Sequence, residues 1–257
     1  MRVGYGLRPK RFFATLVVTV AAAGACAGTE SDSSQNQPPS ASVSSSPATS
    51  TVNRKAPSTV VFSADLKADL YRPDGVEPHP TVMLVHGGGL VIGSRSDYQL
   101  VALAEELRAK GMIAVSIDYA LNAGYERASV DVRAALTWIR TVDGVDPSRV
   151  AMVGLSAGAS LVAETAYQDH VRAVVLASPP GVSTSHMSPD DPETLVLWGT
   201  RDTLVEKDSV TALVSGLATA GVKHEFRVIE GAGHSTTVVD DMPQLVTWLN
   251  MRLSSTS

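Results

Sequence analysis

Between residues 150 and 166 the chain reads VAMVGLSAGASLVAETA, where β-branched and apolar residues meet Gly-Leu-Ser-Ala-Gly and pass into an alanine-rich amphipathic segment. A buried strand that turns directly into a helix points to a sheet whose neighbouring strands are joined by helical crossovers. The turn holds Ser156 between Gly154 and Gly158. Such a serine is either a tight-turn residue or a nucleophile held where a substrate can reach it. Glycine suits both, because bulky residues at 154 or 158 would collide with backbone in a sharp, strained turn. Chance alone gives the pattern in about one chain in ten, so other positions have to decide.

The pattern of strands and helices begins near residue 57. TVVFS (59–63) and ADLKADLYRP (64–73) read as short entry strands, and PTVMLVHGGG (80–89) as a continuous apolar strand ending in glycines. Helical spacing over 97–110, with Gly111 as the stop, precedes the strand MIAVSIDYAL (112–121). Val132, Leu136, Ile139 and Val142 predict a helix closed by DGVDP (143–147). RVAMVG (149–154), VRAVVLAS (171–178), TLVLWG (194–199) and HEFRVIEG (224–231) complete the strands. Helices are predicted over 156–167, around Val210–Leu217 up to Gly221, and from Pro243 onward. Continuous rather than alternating apolar strands imply burial on both faces. Strands that alternate with helices imply an α/β fold with a mainly parallel sheet of about eight strands. Ligands bind beyond the carboxyl ends of such strands.

At those ends stand His86-Gly87-Gly88-Gly89, Ser156, Asp202 and His234. A serine hydroxyl is a poor nucleophile at neutral pH and needs an imidazole to take its proton. The imidazole in turn needs a carboxylate to fix its tautomer. The order Ser156, Asp202, His234 is the chain order that accompanies a Gly-x-Ser-x-Gly turn at a strand-to-helix junction. Each residue also has a plainer reading: Asp202 as a helix cap, His234 as a loop histidine, the glycines as a flexible loop. No Gly-x-x-x-x-Gly-Lys-Ser/Thr or Gly-x-Gly-x-x-Gly pattern supports a phosphate cradle. Four features at separate strand ends in one order favour nucleophilic catalysis.

The N-terminal segment has another purpose. Arg2, Arg8, Lys10 and Arg11 precede the apolar run FFATLVVTVAAA (12–23), and Ala23-Gly24-Ala25 leads into Cys26. This is the layout of a secretory signal peptide over residues 1–25, too short in its apolar part to span a bilayer. Cys26 is the sole cysteine. It reads as the lipidated residue of a bacterial lipoprotein, exported and anchored to the outer face of the cell membrane, or as a bystander after ordinary cleavage and secretion. Residues 26–56, rich in Ser, Pro and Thr with no aromatic, leucine or isoleucine, read as a disordered tether. The formal net charge of −5 offers no basic surface for nucleic acid, and losing four basic residues with the signal makes the mature chain still more acidic.

From about residue 57 to 253 the sequence resembles the α/β-hydrolases of the acetyl-esterase and carboxylesterase group that carries an HGGG loop. The resemblance rests on LYRP (70–73), HGGGLVIGS (86–94), DVRAALTWIR (131–140), GLSAG (154–158), LWGTRDTLV (197–205) and GAGHS (231–235). It implies a catalytic domain over 57–253 with Ser156 as nucleophile, His234 as general base and acid, and Asp202 as the orienting carboxylate. It also implies an oxyanion hole from the backbone N–H groups of Gly88, Gly89 and Ala157, with no metal and no organic cofactor. Many relatives carry a long lid where this chain has only SPPGVSTSHMSPDDPE (178–193), so a minimal lid and an open crevice are expected. His186 in that loop is either a substrate contact or a solvated histidine. The expected activity is hydrolysis of small or polymer-attached carboxylic esters. Acyl transfer and peptide hydrolysis remain open on the same fold, and a non-catalytic surface binding module is the alternative of another class.

Overall fold

Apolar runs of five to seven residues form the centre of the molecule because both of their faces are covered. The computed structural model describes residues 55–254. The expected signal segment, Cys26 and all but the last two residues of the tether lie outside the described residues. The strands are β1 (Ser58–Ser63), β2 (Leu66–Tyr71), β3 (His79–Val85), β4 (Ile113–Ile117), β5 (Val145–Leu155), β6 (Ala173–Ala177), β7 (Glu193–Gly199) and β8 (His224–Ile229). They form one eight-stranded sheet in the order β1-β2-β4-β3-β5-β6-β7-β8. β1 and β2 pair antiparallel, β2 joins β4 antiparallel, and every pairing from β4 to β8 is parallel.

The period of two along each strand sorts side chains into two cores. Met83, Val115, Met152, Val174 and Val196 face one side. There they meet α2 (Tyr125–Ile139), α3 (Ala157–Ala166) and α4 (Lys207–Ala220), through residues such as Val132, Leu161 and Leu213. Leu84, Ala114, Val153, Val175 and Leu195 face the other side. That side is covered by α1 (Tyr98–Ala109) and α6 (Met242–Ser254), through Leu100, Leu103, Trp248 and Leu249. The α/β architecture with helices on both faces is therefore the one the sequence predicts. Gly221 ends α4 in the left-handed conformation at φ 76°, as its place in the sequence suggests.

Three local expectations change. α2 ends at Ile139, and Val142 packs against the core from the turn beyond it rather than from the helix. Residues 145–147 are the start of β5, not part of the closing loop. Val145 pairs with His79 across an irregularity, and Asp146 accepts from the Ser148 N–H and hydroxyl at 3.0 and 2.6 Å. A four-residue helix, α5 (Thr237–Asp240), follows His234, and its single turn is too short to show a period in the sequence.

Candidate active site

β5 ends at Leu155 and α3 begins at Ala157, so Ser156 alone makes the turn. Its φ of 52° is a left-handed conformation that a non-glycine residue adopts under strain of about 1–3 kcal/mol. Packing holds it there. The Ser156 N–H donates to the Ala177 carbonyl at 2.8 Å, and its own carbonyl accepts from Ala159 N–H at 2.8 Å. A Cβ on Gly154 would stand 2.4 Å from the Gly158 oxygen, and one on Gly158 would stand 2.3 Å from the His86 oxygen. The two glycines thus let the turn close on itself and let α3 press against the glycine-rich loop after β3. Gly158→Ala should lower stability by about 1–3 kcal/mol through overpacking against rigid backbone. A thermal midpoint several degrees lower, with turnover reduced at temperatures where the variant is folded, is the expected measurement.

Residues far apart in the chain meet at this turn. The Ser156 hydroxyl lies 2.9 Å from His234 Nε2. His234 Nδ1 lies 2.9 and 3.1 Å from the two carboxylate oxygens of Asp202. A carboxylate only accepts, so Nδ1 carries the proton and Nε2 is left as the acceptor for the serine hydroxyl. That is the tautomer in which the imidazole can take a proton from Ser156.

The Asp202 side chain is fully buried. Burial pushes its pKa up, yet the net displacement is downward. Hydrogen bonds from Val205 N–H, His234, Leu204 N–H and the Ser178 hydroxyl together outweigh the lost hydration. The two backbone bonds are each 2.9 Å long, to Oδ1. The loop after β7 is thus built to keep a buried carboxylate charged. Ser178 was not legible as a partner of this carboxylate. It sits at the end of β6 with φ 47°, and only the fold brings it beside a residue of the next strand's loop.

The glycine loop is anchored by its histidine. His86 is 1% exposed, its ring stacks on Tyr119 at 4.2 Å, and its Nδ1 lies 2.8 Å from the Gly87 carbonyl. Burial lowers its pKa, against smaller upward pulls from the Gly87 carbonyl and from Asp97 and Asp118. The Tyr119 hydroxyl lies within reach of the His86 and Gly87 carbonyls, at 3.1 and 3.0 Å, and donates to them. A Cβ on Gly87 would lie 3.0 Å from Ser156 Cβ, which fixes how closely the loop passes the serine. The N–H groups of Gly88, Gly89 and Ala157 have no acceptor among the described residues.

Tyr98, at the start of α1, donates its hydroxyl to the Ser235 carbonyl at 2.6 Å and ties down the loop that carries His234. His186 is exposed and makes no hydrogen bond among the described residues. Its loop, 178–192, contains no helix or strand. Two surface grooves lie elsewhere. One of about 540 Å³ runs between α1 and α6, lined by Glu106, Lys110, Met242 and Val246, and Ser156 lines neither.

Comparison with known proteins agrees with this architecture. A family model described as the alpha/beta hydrolase fold matches residues 82–192, which contain the glycine loop and the serine turn. The non-reducing polyketide synthase pkbA of Emericella nidulans is 36% identical over 50% of this chain and 6% of its own. The quorum-quenching protein AidA of Acinetobacter baumannii is 32% identical over 62% of this chain. This chain spans only 55% of AidA, so both relatives are matched over well under two thirds of their length. Among solved structures, the propionate-bound thermophilic esterase of Thermogutta terrifontis superposes with a TM-score of 0.69 at 20% identity. The superposition covers 80% of this chain and 98% of that one. By its sheet order, its two helical layers and these matches, this chain has the α/β-hydrolase fold.

Proposed function

We propose that this chain is a serine hydrolase that cleaves carboxylic esters through an acyl-enzyme on Ser156. The observation that carries the reading is the continuous relay from the Ser156 hydroxyl through His234 to Asp202, each step 2.9 Å long. As Oγ attacks the ester carbonyl carbon, its proton passes to Nε2. The carbonyl oxygen becomes an oxyanion, which the N–H groups of Gly88, Gly89 and Ala157 receive. Collapse of the tetrahedral species breaks the bond to the alcohol, and the alcohol leaves with the proton from Nε2. Water then enters, gives a proton to His234, attacks the acyl carbon and releases the carboxylic acid with Ser156 restored. Unpaired donors aimed at a developing charge supply the largest part of such catalysis; removing one typically costs about 10²–10³ in kcat.

The loop 178–192 is short and carries no helix that could serve as a lid, which suits short acyl groups on an exposed or carried ester. The matched esterase with bound propionate supports the same substrate range. Turnover of p-nitrophenyl acetate and butyrate, with a fluorophosphonate probe adding its mass to the Ser156 peptide, tests the reading. An unlabelled Ser156 in actively hydrolysing protein would refute it.

The work is done outside the cytoplasm, as the layout of residues 1–26 supports. Lipid on Cys26 should put the enzyme in the membrane fraction, and Cys26→Ser should release it to the soluble fraction with its activity unchanged. A membrane-bound serine variant would remove the anchor from the proposal.

A further inference from the structure

The glycine loop has an inner anchor in His86, but its outer end is held by a different device. Arg95, at the exit from the loop, is fixed on every side. Its N–H donates to Asp118 Oδ1 at 2.9 Å, its Nη1 pairs with Asp118 Oδ2 at 2.8 Å, and its carbonyl accepts from the Ser116 hydroxyl at 2.7 Å. Its Nε faces Asp69 Oδ1 at 3.0 Å. Asp69 belongs to β2 and is bonded by Thr59 of β1 at 2.6 Å, while Asp118 follows β4 and donates its N–H to the Lys67 carbonyl at 2.9 Å. One guanidinium therefore lies between β2 and the residue that follows β4.

Between the two anchors the loop has little play. The Ile92 N–H donates to the Gly88 carbonyl at 3.1 Å, and the Leu90 carbonyl accepts from Asn122 N–H at 2.8 Å. A Cβ on Gly93 would stand 2.5 Å from His86 Nδ1. Movement at residue 95 is thus passed to Gly88 and Gly89 through a short, tightly bonded turn. A partly buried ion network adds little net stability compared with an apolar replacement of similar size. Its geometry is what an apolar replacement lacks. The planar guanidinium donates to Asp118 through Nη1 while its Nε stands beside Asp69 as an ion pair without a hydrogen bond, a spread between two carboxylates that a lysine ammonium meets as a point charge only.

We propose that Arg95 is a positioning residue for the oxyanion donors, holding the Gly88 and Gly89 N–H groups in register with Ser156 by clamping the loop to Asp69 and Asp118. The proposal rests on the reading of Ser156 as the nucleophile. A loop that drifts by a fraction of an ångström loses stabilisation of the tetrahedral oxyanion but keeps its contacts with the planar ester. The effect therefore falls on kcat and not on KM.

The test uses the full chain with Arg95→Met, Arg95→Lys and Asp118→Asn. For Arg95→Met, kcat on p-nitrophenyl butyrate should fall about 10- to 100-fold with KM within about twofold. The inhibition constant of benzeneboronic acid, which forms a tetrahedral adduct with the serine, should rise in step with the fall in kcat. That of butyrate, a planar product, should stay put. Arg95→Lys should recover part of both losses. An unchanged boronate constant, or equal weakening of boronate and butyrate, overturns the proposal. If Arg95→Met does not fold by circular dichroism, Asp118→Asn and Arg95→Lys are judged by the same two constants. Failure of the underlying reading shows up separately, as wild-type protein whose Ser156 takes no fluorophosphonate.

Discussion

Ser156→Ala should lower kcat on p-nitrophenyl butyrate by about 10⁶-fold, to a residue of hydrolysis carried by binding and the oxyanion donors alone. The change removes one oxygen and one hydrogen bond, the 2.9 Å contact to His234. It leaves the backbone where it was, because alanine meets the same φ of 52° that the serine already tolerates, and the Ser156 N–H bond to Ala177 is untouched. The thermal midpoint should therefore stay within about 2 °C of wild type. Activity and stability are separated by this variant, which is why it decides the matter. Loss of activity with loss of fold would say nothing about the hydroxyl. Retained turnover in a folded variant would show that ester cleavage, if any, proceeds elsewhere.

Much of this architecture is legible in the sequence because the burial pattern is strong. VMLV (82–85) and VAMV (150–153) are apolar at every position, which only a strand covered on both faces requires, and β3 and β5 lie at the centre of the sheet. The candidate nucleophile, base and orienting carboxylate are also visible, since each follows a strand and they come in the order Ser156, Asp202, His234. What escapes is whatever depends on two segments meeting side by side. Arg95 looks like an ordinary loop charge until Asp69 of β2 and Asp118 just after β4 are brought beside it. Ser178 reads as the end of a strand, and its hydroxyl acquires meaning only beside Asp202. Val145 to Pro147 read as a turn because DGVDP is turn-like, yet pairing with His79 draws Val145 into the sheet. Local propensity yields there to a long-range hydrogen bond, the usual outcome at strand ends.

Asp202→Asn should be almost as damaging as loss of the serine, with kcat down by about 10⁴-fold, and for a reason of protons rather than shape. The asparagine oxygen still accepts the Leu204 and Val205 N–H groups that now bond Oδ1 at 2.9 Å. The amide nitrogen is then turned toward His234 Nδ1, where the carboxylate now accepts. Two donors cannot face each other, so the imidazole moves its proton to Nε2. There it points at the Ser156 hydroxyl and can no longer take that proton. In the wild type, the donors around Asp202 lower its pKa and so favour its charged form. The stability readout runs with the same sign. A carboxyl whose folded pKa lies below its unfolded value contributes stability above that unfolded value, about 3.9, and loses it as pH falls through the folded value. The gap in thermal midpoint between wild type and Asp202→Asn should hence be full at pH 7 and narrow below about pH 4. A gap that stays constant to pH 3 would mean that the carboxylate is not held charged by its four donors, and the tautomer argument would lose its footing.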